Sequence, residues 1–368
     1  MKMSDRQHVL REAMTGQHRL VFLQLSDFHY GREHFDGLRA SGLFPWNGLN
    51  DHDPVLCRAL CDAVGKTVLE DLSVPRAVGA LPLVFTGDLT ATGHAGECGA
   101  AREFFNGGIA DPARAGGKYG LGRKGWFDLF TAGNHDQWGG VRSGRRGADL
   151  AKALNPPGVN PKLYRAPFLL PTPVESVLIT GWGDVPPLRV FAADSNAGFD
   201  ATERNPSAEG RLGPELGRLR EAVAAARVEA ADGLMAVAIH HRLPNHRLPP
   251  ELLPYPLIDS DADALRELCA EFGLRAILTG HQHTFWHTVS EGGELPFELR
   301  AATPVQATGG TRPDHHGFTA HVLVRALGGV YWVAIAYQMR SGSFERLPFD
   351  AGKRESETNP YPPVFLVG

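Results

Sequence analysis

The chain has 368 residues, 43% of them hydrophobic and 21% charged, with a formal net charge of −4 and a sequence pI near 6.5. That length admits one large α/β domain or two, and the composition is that of an ordinary globular protein. An acidic balance gives no general electrostatic reason to bind long nucleic acid or an anionic membrane, so any phosphate-bearing ligand must be held locally.

The N-terminal stretch "MKMSDRQHVLREAMTGQHRL" is charged throughout. No later run approaches the ~20 apolar residues that span a bilayer, so a cytoplasmic protein without a membrane partner is expected. Residues 1–18 read as an extension ahead of a domain over 19–349. Four cysteines, Cys57, Cys61, Cys98 and Cys269, form no CxxC pair and read as buried free thiols.

In chain order, "RLVFLQL" (19–25) is the first expected strand. A helix follows in "NDHDPVLCRALCDAVGKTVLEDL", where Asp53 is the N-cap and Pro54 the first helical residue. Leu56, Leu60, Val64, Val68 and Leu72 make its single apolar stripe. "LPLVFT" (81–86) is the next strand. Residues 106–125, "NGGIADPARAGGKYGLGRKG", read as a long basic surface loop, either a lid or a plain insertion.

Further strands are expected at "FDLFTA" (127–132), "LRVFAA" (188–193), "LMAVAI" (234–239) and "RAILT" (275–279), with helices within 213–231 and at 261–272, the latter stopping at Gly273. The strands are nearly continuous in apolar character, which predicts cover on both faces. Beyond residue 284 the pattern is strands without helices, with Gly328 and Gly329 turning a hairpin. Residues 350–368 are proline-rich and read as an irregular tail.

The chemistry sits at the ends of these strands. The first runs into Ser26-Asp27-Phe28-His29 and the second into Gly87-Asp88. "FDLFTA" runs into Gly133-Asn134-His135-Asp136, "LMAVAI" into His240-His241, and "RAILT" into Gly280-His281-Gln282-His283. Taken singly, each is an ordinary turn or cap. Ligands of open α/β sheets gather at the carboxyl ends of strands, so together they predict one site.

Carboxylate, imidazole and amide oxygen suit a borderline divalent metal such as Zn, Mn or Fe. Asp27, His29, Asp88, Asn134, His240, His281 and His283 are more ligands than one ion needs, and two ions ~3.5–4 Å apart, sharing a carboxylate and a hydroxide, use them all. In D-x-H and H-x-H, an extended backbone would point both side chains to one side. Gly87, Gly133 and Gly280 leave room for sharp turns beside the ions.

The ordered set D-x-H, G-D, G-N-H-D, H and G-H-x-H, spanning residues 27 to 283, resembles the calcineurin-like metallophosphoesterase superfamily. The resemblance implies a double-layered β-sandwich flanked by helices, holding two divalent or mixed-valence transition metal ions (Mn, Fe or Zn). It implies Asp27, His29 and His283 on the first metal and Asn134, His240 and His281 on the second, with Asp88 bridging. His135 is the implied catalytic imidazole, meeting the substrate phosphate. His240 is preferred over His241 because the first His of the family's H-H pair is the ligand. Asp136 is read either as support for these groups or as a turn residue.

The implied reaction is attack of a metal-bridging hydroxide on a small phosphate ester, with a homodimer as a possible assembly. "FAADSNAGF" and "GRLGPELGRL" further resemble stretches of bacterial class III cyclic-nucleotide phosphodiesterases, with Glu215 in place of the usual Gln. That favours a phosphodiester, with a phosphomonoesterase, a nuclease or a non-catalytic scaffold as alternatives. Asp194 and Ser195 read as support behind the site or as caps. Arg142, Arg145, Arg146, Arg242 and Arg312 are candidates for a second phosphate or an anionic leaving group, whereas His34, His52, His94, His315 and His316 are read as non-ligands.

Overall fold

The computed structural model describes residues 1–31, 51–75, 80–91, 93, 95–110, 116–123, 127–138, 174–199, 208–229, 233–244, 256–283, 286–287, 296–307, 316–349 and 362–368. The candidates His34, His94, Arg142, Arg145, Arg146, Arg312 and His315 lie outside them.

The first half contains α1 (Met3–Thr15), β1 (Arg19–Leu25), β2 (Asp51–His52), α2 (Pro54–Asp62), a π-helical turn (Ala63–Thr67) and α3 (Val68–Asp71). It continues with β3 (Leu83–Phe85), α4 (Ala95–Asn106), β4 (Ile109–Ala110), β5 (Lys118–Tyr119), β6 (Leu129–Phe130), the short α5 (Asn134–Gln137), β7 (Ser176–Ile179) and β8 (Leu188–Ala192). Then come α6 (Glu215–Glu229), β9 (Leu234–Ala238), α7 (Asp259–Phe272), β10 (Ala276–Thr279), β11 (Trp286–His287), β12 (Phe297–Arg300) and β13 (Gln306–Ala307). The remaining strands are β14 (Gly317–Ala326), β15 (Gly329–Arg340), β16 (Ser343–Arg346) and β17 (Val364–Leu366).

Two sheets make the sandwich. One is seven-stranded, ordered β16-β15-β14-β1-β3-β6 with β17 also on β15, and the other is six-stranded, ordered β11-β12-β10-β9-β8-β7. Leu20, Phe22, Leu323 and Trp332 of the first meet Val190, Ala236, Leu278 and Leu299 of the second in the central layer. α1, α2 and α4 bury their apolar faces on the outside of the first sheet, and α6 and α7 on the outside of the second. Both faces of the central strands are therefore covered, as their unbroken apolar runs require.

Each sheet has a parallel core, β1-β3-β6 in one and β8-β9-β10-β12 in the other. The carboxyl ends of these strands meet at one end of the sandwich. Side chains stitch the sheets together there: Gln24 Nε2 donates to the Thr279 carbonyl (2.9 Å), and Thr131 Oγ1 donates to that of Ala193 (2.8 Å).

Local structure departs from the sequence reading at several places. A spacing of four along a regular α-helix drifts by about 40° per step. The wider π turn at Ala63–Thr67 takes up part of that drift, so that Leu56, Leu60, Val68 and Leu72 all stay buried. The stretch 106–125 is not one long loop: Asn106 ends α4, and β4 and β5 form a hairpin. Backbone bonds from Gly108, Leu121 and Arg123 to Glu103, Phe104 and Phe105 anchor it.

The hairpin turn between β14 and β15 is Leu327-Gly328, since Gly329 already pairs with Ala326. Both turn residues have positive φ, the requirement of a tight hairpin. Residues 1–18 contribute a helix that belongs to the core through Val9, Leu10 and Ala13. Buried Arg19 holds it there, its guanidinium donating to the carbonyls of Ala13 and Met14 at the end of α1 and of Leu72 and Ser73 beyond α3. A cation suits these carbonyl-rich helix ends. The tail also ends in order, with β17 pairing to β15. No helix among the described residues is long and apolar enough to cross a membrane.

A polar chain crosses the central layer. Trp332 Nε1 can only donate, so His321 Nδ1 accepts (3.1 Å) and His321 Nε2 carries the proton given to Gln24 Oε1 (2.9 Å). Burial pulls the His321 pKa from 6.5 down to about 3. The unfolded chain takes up a proton below pH 6.5 that the folded ring refuses, so His321's contribution to stability is complete above pH 6.5. It is lost toward pH 3 at up to about 1.4 kcal/mol per pH unit. Urea unfolding across that range should show a shallower pH slope for His321→Gln than for the parent, and identical slopes would contradict this assignment.

Candidate metal centre

Loops leaving β1, β3, β6, β9 and β10 bring all eight candidate residues together. His29 Nε2 and His283 Nε2 lie 3.1 Å apart, and Asp27 Oδ1 is 3.4 Å from His283 Nε2. On the other side, His240 Nε2 lies 3.1 Å from His281 Nδ1, 3.2 Å from Asn134 Oδ1 and 3.3 Å from Asp88 Oδ2. Asp88 Oδ2 is also 3.8 Å from His29 Nε2, so this carboxylate stands between the two groups.

Among the described residues, the sets with metal-binding geometry are Asp27-His29-His283, His29-Asp88-His135 and Asp88-His240-His281. Neither His52, stacked on Tyr30 at 3.7 Å, nor His316 belongs to them.

The donor chemistry fits a cation. His240 Nδ1 faces the Thr86 carbonyl at 2.7 Å and must donate to it, which leaves a lone pair at Nε2 in the neutral ring. That lone pair faces the amide oxygen of Asn134 and the carboxylate of Asp88, which are also acceptors. Only a proton or a metal ion satisfies such a set. Without metal a proton does so: burial pulls His240 down, but Asp88 outweighs it and holds the ring at about 9. Burial likewise opposes charge on Asp88, yet the imidazoles of His240, His135 and His29 keep it well below the usual carboxylate range. Burial, reinforced by His135, keeps His29 well below 6.5.

The backbone here is strained. Asp27 (φ 56°), His29 (50°), Asp88 (55°), His281 (73°) and His283 (56°) are all left-handed. Each such residue costs roughly 1–2 kcal/mol. The D-x-H and H-x-H pairs thus converge through successive left-handed kinks, not along extended segments. A Cβ on Gly133 would stand 1.9 Å from Asp88 Oδ1, and one on Gly280 would stand 1.9 Å from Ser26 Oγ and 2.8 Å from Asp27 Oδ2. These glycines give the carboxylates their space.

Asp136 resolves as a lock on the turn. Its buried carboxylate accepts from the backbone N–H groups of Gly133, Leu89 and Thr90 and from Thr90 Oγ1, which joins the loops after β3 and β6. Burial and the nearby Asp88 push it up to about 6 against these donors. His241 turns away from the cluster's donor atoms. Its Nδ1 meets Ser195 Oγ at 2.7 Å and its Nε2 the Ala208 carbonyl at 3.1 Å, while its ring packs on His240 and His281.

Asp194 accepts from Gln137, beside the His135 turn. Thr303, which no motif marks, donates to the Asp27 carbonyl at 2.6 Å. It lies beyond the last motif, so only the fold brings it to the site.

A model of the calcineurin-like phosphoesterase family matches residues 20–285. The chain belongs to that family. No curated protein matches this calcineurin-like phosphoesterase in sequence. Among solved structures it is similar to GAP50, the anchor in the inner membrane complex of Plasmodium, at 8% identity and TM-score 0.49 over 93% of this chain and 91% of that one. It is also similar to the purple acid phosphatase PPD1 from yellow lupin, at 12% identity and TM-score 0.48 over 89% and 53%. A third is the sulfate thiohydrolase SoxB of Thermus thermophilus, at 15% identity and TM-score 0.46 over 89% and 58%. The chain spans little more than half of the latter two.

Gly133→Ala should displace the Asp88 carboxylate. Metal content by elemental analysis should fall, and phosphoester turnover should drop on the order of 10²-fold, with the circular dichroism spectrum unchanged. Full metal occupancy in this variant would contradict the spacing role of Gly133.

Proposed function

We propose that this phosphoesterase hydrolyses a small phosphodiester, with cyclic nucleotides as the leading substrate class, at a dinuclear centre. The observation that carries the dinuclear reading is Asp88, standing between an Asp27-His29-His283 group and an Asn134-His240-His281 group. In this reading the first group holds one ion, the second holds the other, and Asp88 bridges. Imidazole, carboxylate and amide donors suit Mn, Fe or Zn. A bound pair of such cations would neutralise phosphate oxygens and acidify water near neutral pH.

The chain's own residues supply position and protons. Asp27, His29, Asp88 and His240 form a buried floor, while His135, His281 and His283 are part-exposed and rim the mouth. Substrate therefore approaches from the His135 side. His135 Nδ1 donates to the Ala91 carbonyl at 2.9 Å, so Nε2 carries a proton only in the imidazolium form. In that form Nε2 donates to a phosphate oxygen or to the departing oxygen. The Asp88 Oδ1 bond to the His135 N–H (2.8 Å) fixes the imidazole relative to the bridging carboxylate.

Support for the diester preference comes from the "DSN" and "GRLGPEL" stretches. They pack as one unit behind the site: Arg211 N–H donates to the Ser195 carbonyl, and Gly198 N–H to that of Arg211. Glu215, in the place of the usual Gln, still accepts from Asp194 N–H at 3.3 Å.

The Mn²⁺-loaded protein should cleave bis(4-nitrophenyl) phosphate in strong preference to 4-nitrophenyl phosphate at equal concentration. The reverse preference would make it a phosphomonoesterase, and turnover of neither would contradict the enzymatic reading. His135→Ala should lower kcat by about 10²–10⁴-fold with metal content unchanged. Asp88→Ala should lose both activity and metal. Normal turnover in His135→Ala would remove it from the reaction.

A further inference from the structure

The turn that carries Asn134 and His135 is too short to hold itself in place. α5 has four residues, and the bond from Trp138 N–H to the Asn134 carbonyl at 2.9 Å closes it. A helix of that length is unstable in isolation, so its position must be set by side chains. Asp136 ties one side of it to the loop after β3, through Leu89 and Thr90.

The other side is tied to the second sheet. Residues three apart share a helix face, so Gln137 stands on the side of Asn134, whose amide oxygen is 3.2 Å from His240 Nε2. Gln137 is buried, and its Nε2 donates to Asp194 at 2.9 Å to Oδ2 and 3.1 Å to Oδ1. Asp194 lies just past β8, in the sheet whose β9 and β10 lead to His240 and His281. Asn196 Nδ2 adds a parallel strut, donating to Asp194 Oδ1 at 3.1 Å and to the Ala132 carbonyl, just ahead of Gly133, at 3.2 Å.

Asp194 is itself braced from behind. Its N–H donates to Glu215 Oε1 at 3.3 Å, and Glu215 Oε2 accepts from Arg218 at 2.9 Å, which carries the support into α6. A local turn explains part of this arrangement, since Asp194 Oδ1 accepts from Asn196 N–H at 2.8 Å. Oδ2 reaches beyond that turn to a residue of the other sheet's loop. An amide donating to a carboxylate is a charge-assisted bond, which adds strength to its direction.

We infer that Asp194 is a positioning residue for the metal centre: through Gln137 it sets the Asn134–His135 turn against the second sheet. It thereby fixes the reach of Asn134 toward the ion held with His240 and His281. The inference rests on the dinuclear reading and adds to it a residue that touches neither ion nor substrate.

Calorimetric titration of the metal-free protein with Mn²⁺ tests this, because it reads each ion without reference to turnover. The parent should bind two ions. In Asp194→Ala, and in Gln137→Glu, which sets carboxylate against carboxylate, one ion should bind as in the parent and the other about 10–100-fold more weakly. The exchange variant Asp194→Asn/Gln137→Glu re-forms the amide-to-carboxylate bond with its partners reversed. It should recover most of the lost affinity, which a merely structural role for either residue does not predict.

Should Asp194→Ala fail to fold, Gln137→Glu and the exchange variant decide the matter. Parent-like binding in Gln137→Glu, equal weakening of both ions, or an exchange variant no better than Gln137→Glu would overturn the positioning role and leave the dinuclear centre intact. A parent that binds fewer than two ions would overturn both readings.

Discussion

The Asp88 carboxylate is the interaction on which the rest of the site depends. Asp88 leaves β3 at the seam between the two sheets, where Oδ1 takes the His135 N–H and Oδ2 faces His240 and, at longer range, His29. A carboxylate this deeply buried is tolerable only with compensating positive charge close by. The imidazole of His240, held protonated against Asp88 Oδ2, supplies it. The geometry that gathers these groups also suits metal cations, so one constraint both closes the sandwich end and builds the centre.

That convergence is bought with local strain. Five ligand candidates sit in left-handed backbone, and the glycines beside them leave no room for a Cβ. Rigid surroundings must hold such a conformation. The parallel cores of the sheets, the Asp136 lock across the loops after β3 and β6, and the Thr303 bond to Asp27 do so. Ser195 and His241 extend the support to the second sheet, where the His241 ring wedges against His240 and His281. Metal binding is expected to offset part of the strain, since a ligand that binds only the folded state stabilises it.

Much of this was legible in the sequence because the signals are local. β1, β8 and β9 follow apolar runs closely, Asp53 caps its helix through Val55 N–H, and every metal-ligand candidate directly follows such a run. What escaped depends on distant partners. The π turn at Ala63–Thr67 answers to a face that only the packed sheet defines. The helix at the N-terminus is secured by Arg19, whose carbonyl partners lie as far away as Leu72. Which of His240 and His241 faces Asn134 and Asp88, open from spacing alone, turns on which ring finds Ser195.

The account stands on two cations sharing Asp88. The direct measurement is metal stoichiometry, by elemental analysis of protein dialysed free of metal, reloaded with Mn²⁺ and desalted, for the parent and for Asp88→Asn. Two ions per chain in the parent, with occupancy of both reduced together in Asp88→Asn, is the predicted result. A single ion per chain, or a second ion indifferent to Asp88→Asn, would contradict the bridging role and the dinuclear centre built on it.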